Sequence, residues 1–154
     1  RAANVYGPSQ QLYRIIPRAI LTALSGKKMD LHGGGHSIRS FIHIKDVVRA
    51  TLKLAINAEP GTTWHLSTFE SFSIKEIVEK IFLLTGANFN ELVTITEDRL
   101  AKDQSYLLDS SSMRETHNWS EKITIDQGLK DTLSWVESNF KLFETLPWRY
   151  QHKS

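Results

Sequence analysis

The run Gly33-Gly34-Gly35-His36-Ser37-Ile38-Arg39-Ser40-Phe41-Ile42-His43-Ile44-Lys45-Asp46-Val47-Val48 constrains this chain more than any other stretch. Three consecutive glycines allow the backbone to turn tightly. The apolar residues that follow predict a short strand carrying one arginine, with Phe41, Ile42 and Ile44 at its buried end. Asp46 is placed to favour the positive N-terminus of a following helix. Such a unit fixes the direction of Arg39 and is one way to aim a guanidinium at a phosphate. The glycines themselves do not form a nucleotide P-loop, because the Gly-Lys-Ser/Thr ending is absent. Nor do they form the dinucleotide fingerprint, since no strand-Gly-x-Gly-x-x-Gly-helix unit surrounds them. They read as a tight connection between two strands.

The rest of the chain alternates short strands with helices. Residues 1–10 predict a strand end closed by the Gly7-Pro8 turn, with Asn4 and Tyr6 two apart and therefore on one face. Leu12, Ile15, Ile16, Ala19, Ile20, Ala23 and Leu24 recur at helical spacing, and Pro17 suits a helix beginning near Ile16 and ending at Gly26. Met29–His32 alternates apolar and polar, as a strand does. Residues 47–56 predict a largely apolar helix, expected to pack between other layers. Thr63–Ser67 reads as a strand. Ser73 and Glu76 form a capping box for a helix running to Gly86. Leu92–Ile95 predicts a further strand, 97–104 a charged loop, Tyr106–Asp109 an extended segment and Ser111–Asn118 a short helix closed by Trp119. Either Thr124 or Asp126 caps a last helix reaching about Phe140, and the aromatic, basic tail through Tyr150 is expected to dock on a surface. The fold class is α/β, with about five helices and no internal repeat.

Composition narrows the function classes. The 154 residues suit one compact domain. The net charge is +2, with Lys+Arg 19 against Asp+Glu 17, so no basic field points to nucleic acid or to a membrane surface. There is no cysteine, which removes disulfides, thiolate nucleophiles and cysteine zinc sites. No apolar run approaches the roughly 18 residues a membrane helix needs. The six histidines, at 32, 36, 43, 65, 117 and 152, show no metal-ligand spacing, so no metal site is expected. No Gly-x-Ser-x-Gly nucleophile elbow occurs. What accumulates is anion-binding potential: Arg14, Arg39, Arg99 and Lys102 lie in loops or at strand starts, and the planar fork of arginine suits a diphosphate. Asn4 adds an amide donor.

Several of these segments together resemble a known family. Arg1-Ala-Ala-Asn4-Val-Tyr6-Gly7-Pro8, then Ile16-Pro17, then the glycine run through Asp46-Val47, are similar to the extended short-chain dehydrogenase/reductases that act on nucleotide sugars. Asp98-Arg99-Leu-Ala-Lys102-Asp103-x-x-Tyr106-x-x-Asp109, Trp119, Gly128-Leu129 and Trp135 follow in the same order, so the resemblance covers about residues 1–140. It is closest to the nucleotide-sugar 4,6-dehydratases of the dTDP-glucose 4,6-dehydratase type.

The resemblance implies an N-terminal Rossmann domain that holds NAD and a smaller C-terminal domain that binds the nucleotide-diphosphate sugar over it. Residues 1–154 resemble that C-terminal substrate-binding part, plus segments that complete a Rossmann-type sheet, so the chain is expected to be a piece of something longer. Its catalytic residues are then expected elsewhere, and the piece alone is expected to be inactive and not to bind NAD. Position by position, the resemblance places Asn4 and Arg39 on the diphosphate, Arg14 near the nucleotide, and Leu31 and His32 on the strand passing the base. It places Arg99 and Lys102 on a loop over the nucleotide, and Tyr6 and Pro8 beside the nicotinamide ring. It further implies a cytoplasmic homodimer.

Lys102 stands where many dTDP-sugar dehydratases carry histidine, Leu100-Ala101 replaces Pro-Gly, and no asparagine lies around Phe69-Glu70-Ser71. These departures leave the nucleotide open. UDP-glucuronate decarboxylases and nucleotide-sugar 4-epimerases share the architecture and remain same-class alternatives. A non-catalytic binding module is the alternative from a different class.

Overall fold

A computed structural model describes residues 1–97 and 104–148. In chain order the elements are β1 (Asn4–Tyr6), α1 (Ile15–Ser25), β2 (Met29–His32), a 3₁₀ turn (Gly33–Gly35), β3 (Ile38–Arg39), β4 (Phe41–His43) and α2 (Ile44–Asn57). Then follow β5 (Phe72–Ser73), α3 (Ile74–Thr85), α4 (Phe89–Leu92), β6 (Val93–Thr96), β7 (Ser105–Tyr106), α5 (Ser111–His117), α6 (Ile125–Ser138) and α7 (Phe140–Phe143). The alternation read from the sequence is thus an α/β arrangement. Among the described residues no helix is long and apolar enough to cross a membrane.

Strand pairing is short and mostly parallel. β1 runs parallel to β4, with Asn4 opposite Phe41 and Tyr6 opposite His43. β2 runs parallel to β6. β3 lies between antiparallel β5 and parallel β7, so Arg39 faces Phe72 on one side and Tyr106 on the other. The glycine turn joins β2 to β3 as expected. Its three glycines all adopt left-handed φ, at 59°, 60° and 70°, a succession that side chains would oppose at every step.

Helix ends follow the local chemistry. α1 stops at Gly26, whose φ of 69° lets its N–H bond back to Thr22. Ser73 and Glu76 close the capping box of α3, and the bonds from Ser73 hold the Glu76 carboxyl below the usual carboxylate range. At α6 the cap is Thr124, which forms a second capping box with Gln127, while Asp126 sits inside the first turn. α6 ends at Ser138, and Phe140 opens the one-turn α7 instead of prolonging it. From the tail, Trp148 docks: its Nε1 donates to the Phe143 carbonyl, and the Lys27 ammonium lies 4.7 Å from its ring centre. Arg149 and Tyr150 fall outside the described residues.

Two apolar clusters hold the chain together. The larger collects Ile16, Ile20 and Leu21 of α1, Ile77, Val78 and Ile81 of α3, and Leu129 and Val136 of α6 around β2 and Tyr6. The smaller joins Ala3, Ile42, Ala50, Leu66, Met113 and Trp119. At about 2–5 kcal/mol per large side chain truncated to alanine, the α1–α3–α6 contact dominates the stability.

Two expectations need correction. Helix α2 is not enclosed between layers: Asp46 and Ala50 are buried, whereas Val48, Leu52 and Ile56 are 56%, 62% and 72% exposed. Its inner side packs on the smaller cluster, and no described element lies over the other side. Thr63–Ser67 does not form a ladder. Among the described residues Leu66 forms a single parallel bridge to Ala2, which precedes β1.

Candidate functional site

An open cavity of about 770 Å³ lies where β1, the turn after it, the start of α1, Arg39 of β3 and Ile74 of α3 meet. Its wall begins with the turn after Tyr6. A Cβ on Gly7 would stand 2.7 Å from Cγ2 of Ile44 and 3.0 Å from Nε2 of His43, and φ at Gly7 is 138°, so only glycine lets the chain turn this close to β4. Gln10 then pins the turn by donating from Nε2 to the Val5 carbonyl at 2.8 Å.

Asn4 is tied to the same neighbour twice. Its backbone N–H and its Nδ2 each donate to the Ser40 carbonyl at 3.1 Å. The amide therefore has a fixed orientation, and with two N–H groups and one carbonyl in its side chain it keeps capacity for a ligand. Ser40 sits between Arg39 and Phe41, so the bond that orients Asn4 also sets its distance from Arg39. Arg39 donates from one terminal nitrogen to the Ile38 carbonyl at 2.8 Å, which anchors the guanidinium to its own strand. Arg14 closes the third side as the N-cap residue of α1, with its guanidinium carbon 5.4 Å from the Tyr13 ring centre.

Below this wall lies a buried polar layer. Tyr6 is 2% exposed, and its hydroxyl faces the Ile125 carbonyl at 3.5 Å. Burial, followed by the nearby carboxylates Asp46, Asp126 and Asp131, pushes its phenol well above the usual range, so it stays protonated. His43 is 1% exposed. Its Nδ1 accepts from the Lys45 N–H at 3.3 Å and caps α2, which assigns the ring proton to Nε2. That nitrogen lies 3.5 Å from Oδ2 of Asp131, too loosely aligned to count as a hydrogen bond, while Lys45 Nζ takes the same oxygen at 2.7 Å. Burial outweighs Asp131 and lowers the His43 pKa, keeping the imidazole neutral.

Among the described residues the cavity wall thus combines two guanidinium groups, the oriented Asn4 and Gln10 amides and three phenyl or phenol rings, with no carboxylate, lysine or histidine. Two guanidinium groups on one wall suit an anion carrying two negative groups. A smaller hollow of about 420 Å³ sets Arg114 and Lys122 beside Glu70 and Glu121. Its arginine, Arg114, is paired with Glu121 at 2.6 Å, donates to the Ser67 carbonyl at 2.9 Å and lies 3.8 Å from the Phe69 ring centre.

The sequence-derived site residues fall into three groups. Asn4, Tyr6, Pro8, Arg14 and Arg39 all line the larger cavity. Leu31 and His32 do not: Leu31 is 3% exposed in the main cluster, and His32 bonds through Nδ1 to the Thr96 hydroxyl at 2.8 Å. Arg99 and Lys102 lie outside the described residues. Gln10, Tyr13, Phe41 and Ile74 line the cavity without having been singled out. The polar run Gln10-Gln11-x-Tyr13-Arg14, sitting between a turn and a helix start, was the available signal. No group of three or more metal-ligating side chains occurs among the described residues.

The family model for GDP-mannose 4,6 dehydratase matches residues 1–132. The chain belongs to this family. A trifunctional UDP-glucose 4,6-dehydratase/UDP-4-keto-6-deoxy-D-glucose 3,5-epimerase/UDP-4-keto-L-rhamnose-reductase of Arabidopsis thaliana is 32% identical over 139 residues, which is 90% of this chain and 21% of that protein. The dTDP-glucose 4,6-dehydratase of Bacillus anthracis, solved in complex with NAD, superposes with a TM-score of 0.84 at 29% identity, covering 92% of this chain and 44% of that one. MoeE5, solved with UDP-glucuronic acid and NAD, gives a TM-score of 0.82 at 26% identity over 90% of this chain and 46% of that one. The chain thus spans from about a fifth to less than half the length of these relatives, and the match confirms the α/β fold of the extended short-chain dehydrogenase/reductases.

Proposed function

We propose that residues 1–154 form the nucleotide-sugar-binding part of an NAD-dependent nucleotide-sugar 4,6-dehydratase, a lyase of carbohydrate biosynthesis. The observation that carries this reading is the cavity lined by Asn4, Arg14 and Arg39, which brings two guanidinium groups and an oriented amide to one wall. Its charge suits the diphosphate, and its volume of about 770 Å³ falls within the range of small-molecule sites. Family membership, and relatives whose names specify UDP-glucose and dTDP-glucose 4,6-dehydration, support the same substrate class.

In this reading the chain's residues bind and orient. The Asn4 amide and the Arg39 guanidinium, held at a set spacing by Ser40, grip the diphosphate, and Arg14 adds charge from the start of α1. Gripping the diphosphate places the hexose for reaction and converts binding energy into orientation. The turn through Gly7 and Pro8 fits a nicotinamide ring as a compact wall, since Pro8 lines the cavity, whereas the Tyr6 hydroxyl is committed to the Ile125 carbonyl. NAD, when bound, would take a hydride from the hexose and return it after the loss of water. Because the resemblance puts the NAD-binding and catalytic residues in another part of the protein, the 154-residue chain by itself is proposed to have no turnover. The homodimer and the cytoplasmic setting rest on the resemblance.

Incubating the complete protein with UDP-glucose, dTDP-glucose and UDP-glucuronate, followed by NMR of the product, tests the reading. A 4-keto-6-deoxy hexose is expected. A pentose product would mark a decarboxylase, a 4-inverted hexose an epimerase, and either overturns the dehydratase. Unchanged sugars with no measurable binding overturn the substrate class.

A further inference from the structure

Among the described residues two that are not glycine hold a left-handed backbone, Ser9 at φ 70° and Asn118 at φ 44°. Residues with a side chain rarely accept this region, and asparagine is among the exceptions. Asn118 has an ordinary reason for it, since it caps the end of α5, a position that takes glycine or asparagine. Ser9 follows no helix.

Its setting is a turn over residues 7–10, closed by a bond from the Gln10 N–H to the Gly7 carbonyl at 3.3 Å, with Pro8 and Ser9 at the two corners. The second corner of a turn with positive φ is the place of glycine, and serine there costs backbone strain. Ser9 is exposed, so burial of its side chain does not offset that strain. Its location is what sets it apart. With Gly7, Pro8, Gln10 and Gln11 it lines the larger cavity, and none of these residues is charged, unlike the wall that carries Arg14 and Arg39. A strained residue kept in the wall of a site is a sign that its side chain is used. Here the side chain is a hydroxyl, which both donates and accepts hydrogen bonds.

We infer that the Ser9 hydroxyl hydrogen-bonds a sugar hydroxyl of the bound ligand, on the ribose or on the hexose. This inference rests on the proposed function and deepens it: the guanidinium groups take the charged bridge, and the neutral turn takes an uncharged part joined to it. Both sugars present the same chemistry, an alcohol that can donate to serine or accept from it.

Isothermal titration of the complete protein tests the inference, with UDP-glucose, UDP and inorganic pyrophosphate as ligands and with the variants Ser9→Gly and Ser9→Ala. Melting temperatures are measured alongside. Ser9→Gly relieves the strain and removes the hydroxyl. It is expected to melt up to about 3 °C above wild type while binding UDP-glucose roughly three- to tenfold more weakly, the range for one neutral hydrogen bond. Ser9→Ala keeps the strain, so it is expected to melt no higher than wild type and to lose the same affinity. Pyrophosphate binding is expected to stay unchanged in both. Loss with UDP and UDP-glucose alike assigns the ribose side of the diphosphate, and loss with UDP-glucose alone assigns the hexose. Either variant binding UDP-glucose as tightly as wild type, an equal loss with pyrophosphate, or Ser9→Gly melting below wild type overturns the inference while leaving the proposed function standing. Wild-type protein that binds neither UDP-glucose nor dTDP-glucose overturns both.

Discussion

Asp46 accepts a hydrogen bond from the backbone N–H of Lys122 at 2.9 Å, across 76 positions of sequence. Its second oxygen accepts from the Ile123 N–H at 3.1 Å, and Arg49 pairs with it from the next turn of α2. The carboxylate is fully buried. It ties the first turn of α2 to the segment that leads into α6, and so joins the two apolar clusters through one residue.

Asp46→Ala is accordingly expected to destabilise the protein by about 3 kcal/mol, because it strands two backbone donors and a guanidinium in a partly desolvated setting. Asp46→Asn should recover little, since one of its two acceptor oxygens becomes a donor facing a donor. Chemical denaturation of the three proteins checks this. A loss below about 1 kcal/mol in both variants would show that water replaces the carboxylate without difficulty.

Gly128 makes the closest approach of α6 to β1. A Cβ there would overlap the Tyr6 hydroxyl and ring. Gly128→Ala is expected to cost about 1–3 kcal/mol through overpacking, despite the better helix propensity of alanine. The double variant Gly128→Ala/Tyr6→Phe should regain part of that loss. Additive losses in a double-mutant cycle would mean that the two residues do not collide.

His43 gives stability a pH dependence. Burial lowers its folded-state pKa below the unfolded value of about 6.5. Across the window between those two values the unfolded state binds more protons, so stability rises with pH there and is lost as the pH falls from about 6.5 toward the folded pKa. His43→Asn keeps an acceptor for the Lys45 N–H and removes the titration. Melting temperatures between pH 7.5 and 5 should fall more steeply for wild type than for this variant. Parallel curves would assign the acid sensitivity to other groups.

Arg39→Ala in the complete protein is expected to weaken nucleotide-sugar binding roughly ten- to a hundredfold, the range for a charge-assisted bond to phosphate. Arg39→Lys should fall between the two, because an ammonium keeps the charge but not the fork. The KM of the substrate, or its dissociation constant by titration, is the measurement. Values unchanged in Arg39→Ala would make the residue a structural one.

The local features were legible in the sequence wherever neighbouring residues decide them. Ser73 with Glu76, Gly26 after α1 and the glycine triplet announced their structures because caps and left-handed turns depend on residues within one turn of the chain. Asp46 shows the limit. Its helix-start role was readable, but its bonds to Lys122 and Ile123 depend on a contact that no periodicity encodes. The exposed side of α2 was unreadable for the related reason that an apolar pattern says which residues avoid water, not what covers them. At the site, Asn4, Arg14 and Arg39 were singled out in the sequence, and all three line the cavity. Leu31 was not separable from the core by pattern alone, because a strand residue beside a ligand and one beside a helix look alike. Tyr13 was passed over because a single aromatic in a turn carries no pattern.

The Ser40 carbonyl, which receives both N–H groups of Asn4, has a consequence for how this site tolerates change. Only the backbone of residue 40 enters those bonds. The interval between the amide and the Arg39 guanidinium is therefore counted in residues along the chain instead of being adjusted by side-chain fit. Replacing Ser40 leaves that interval intact, whereas inserting or deleting one residue between Arg39 and Phe41 shifts the guanidinium to the opposite side of its strand. Length, more than identity, is what this short connection conserves within the molecule.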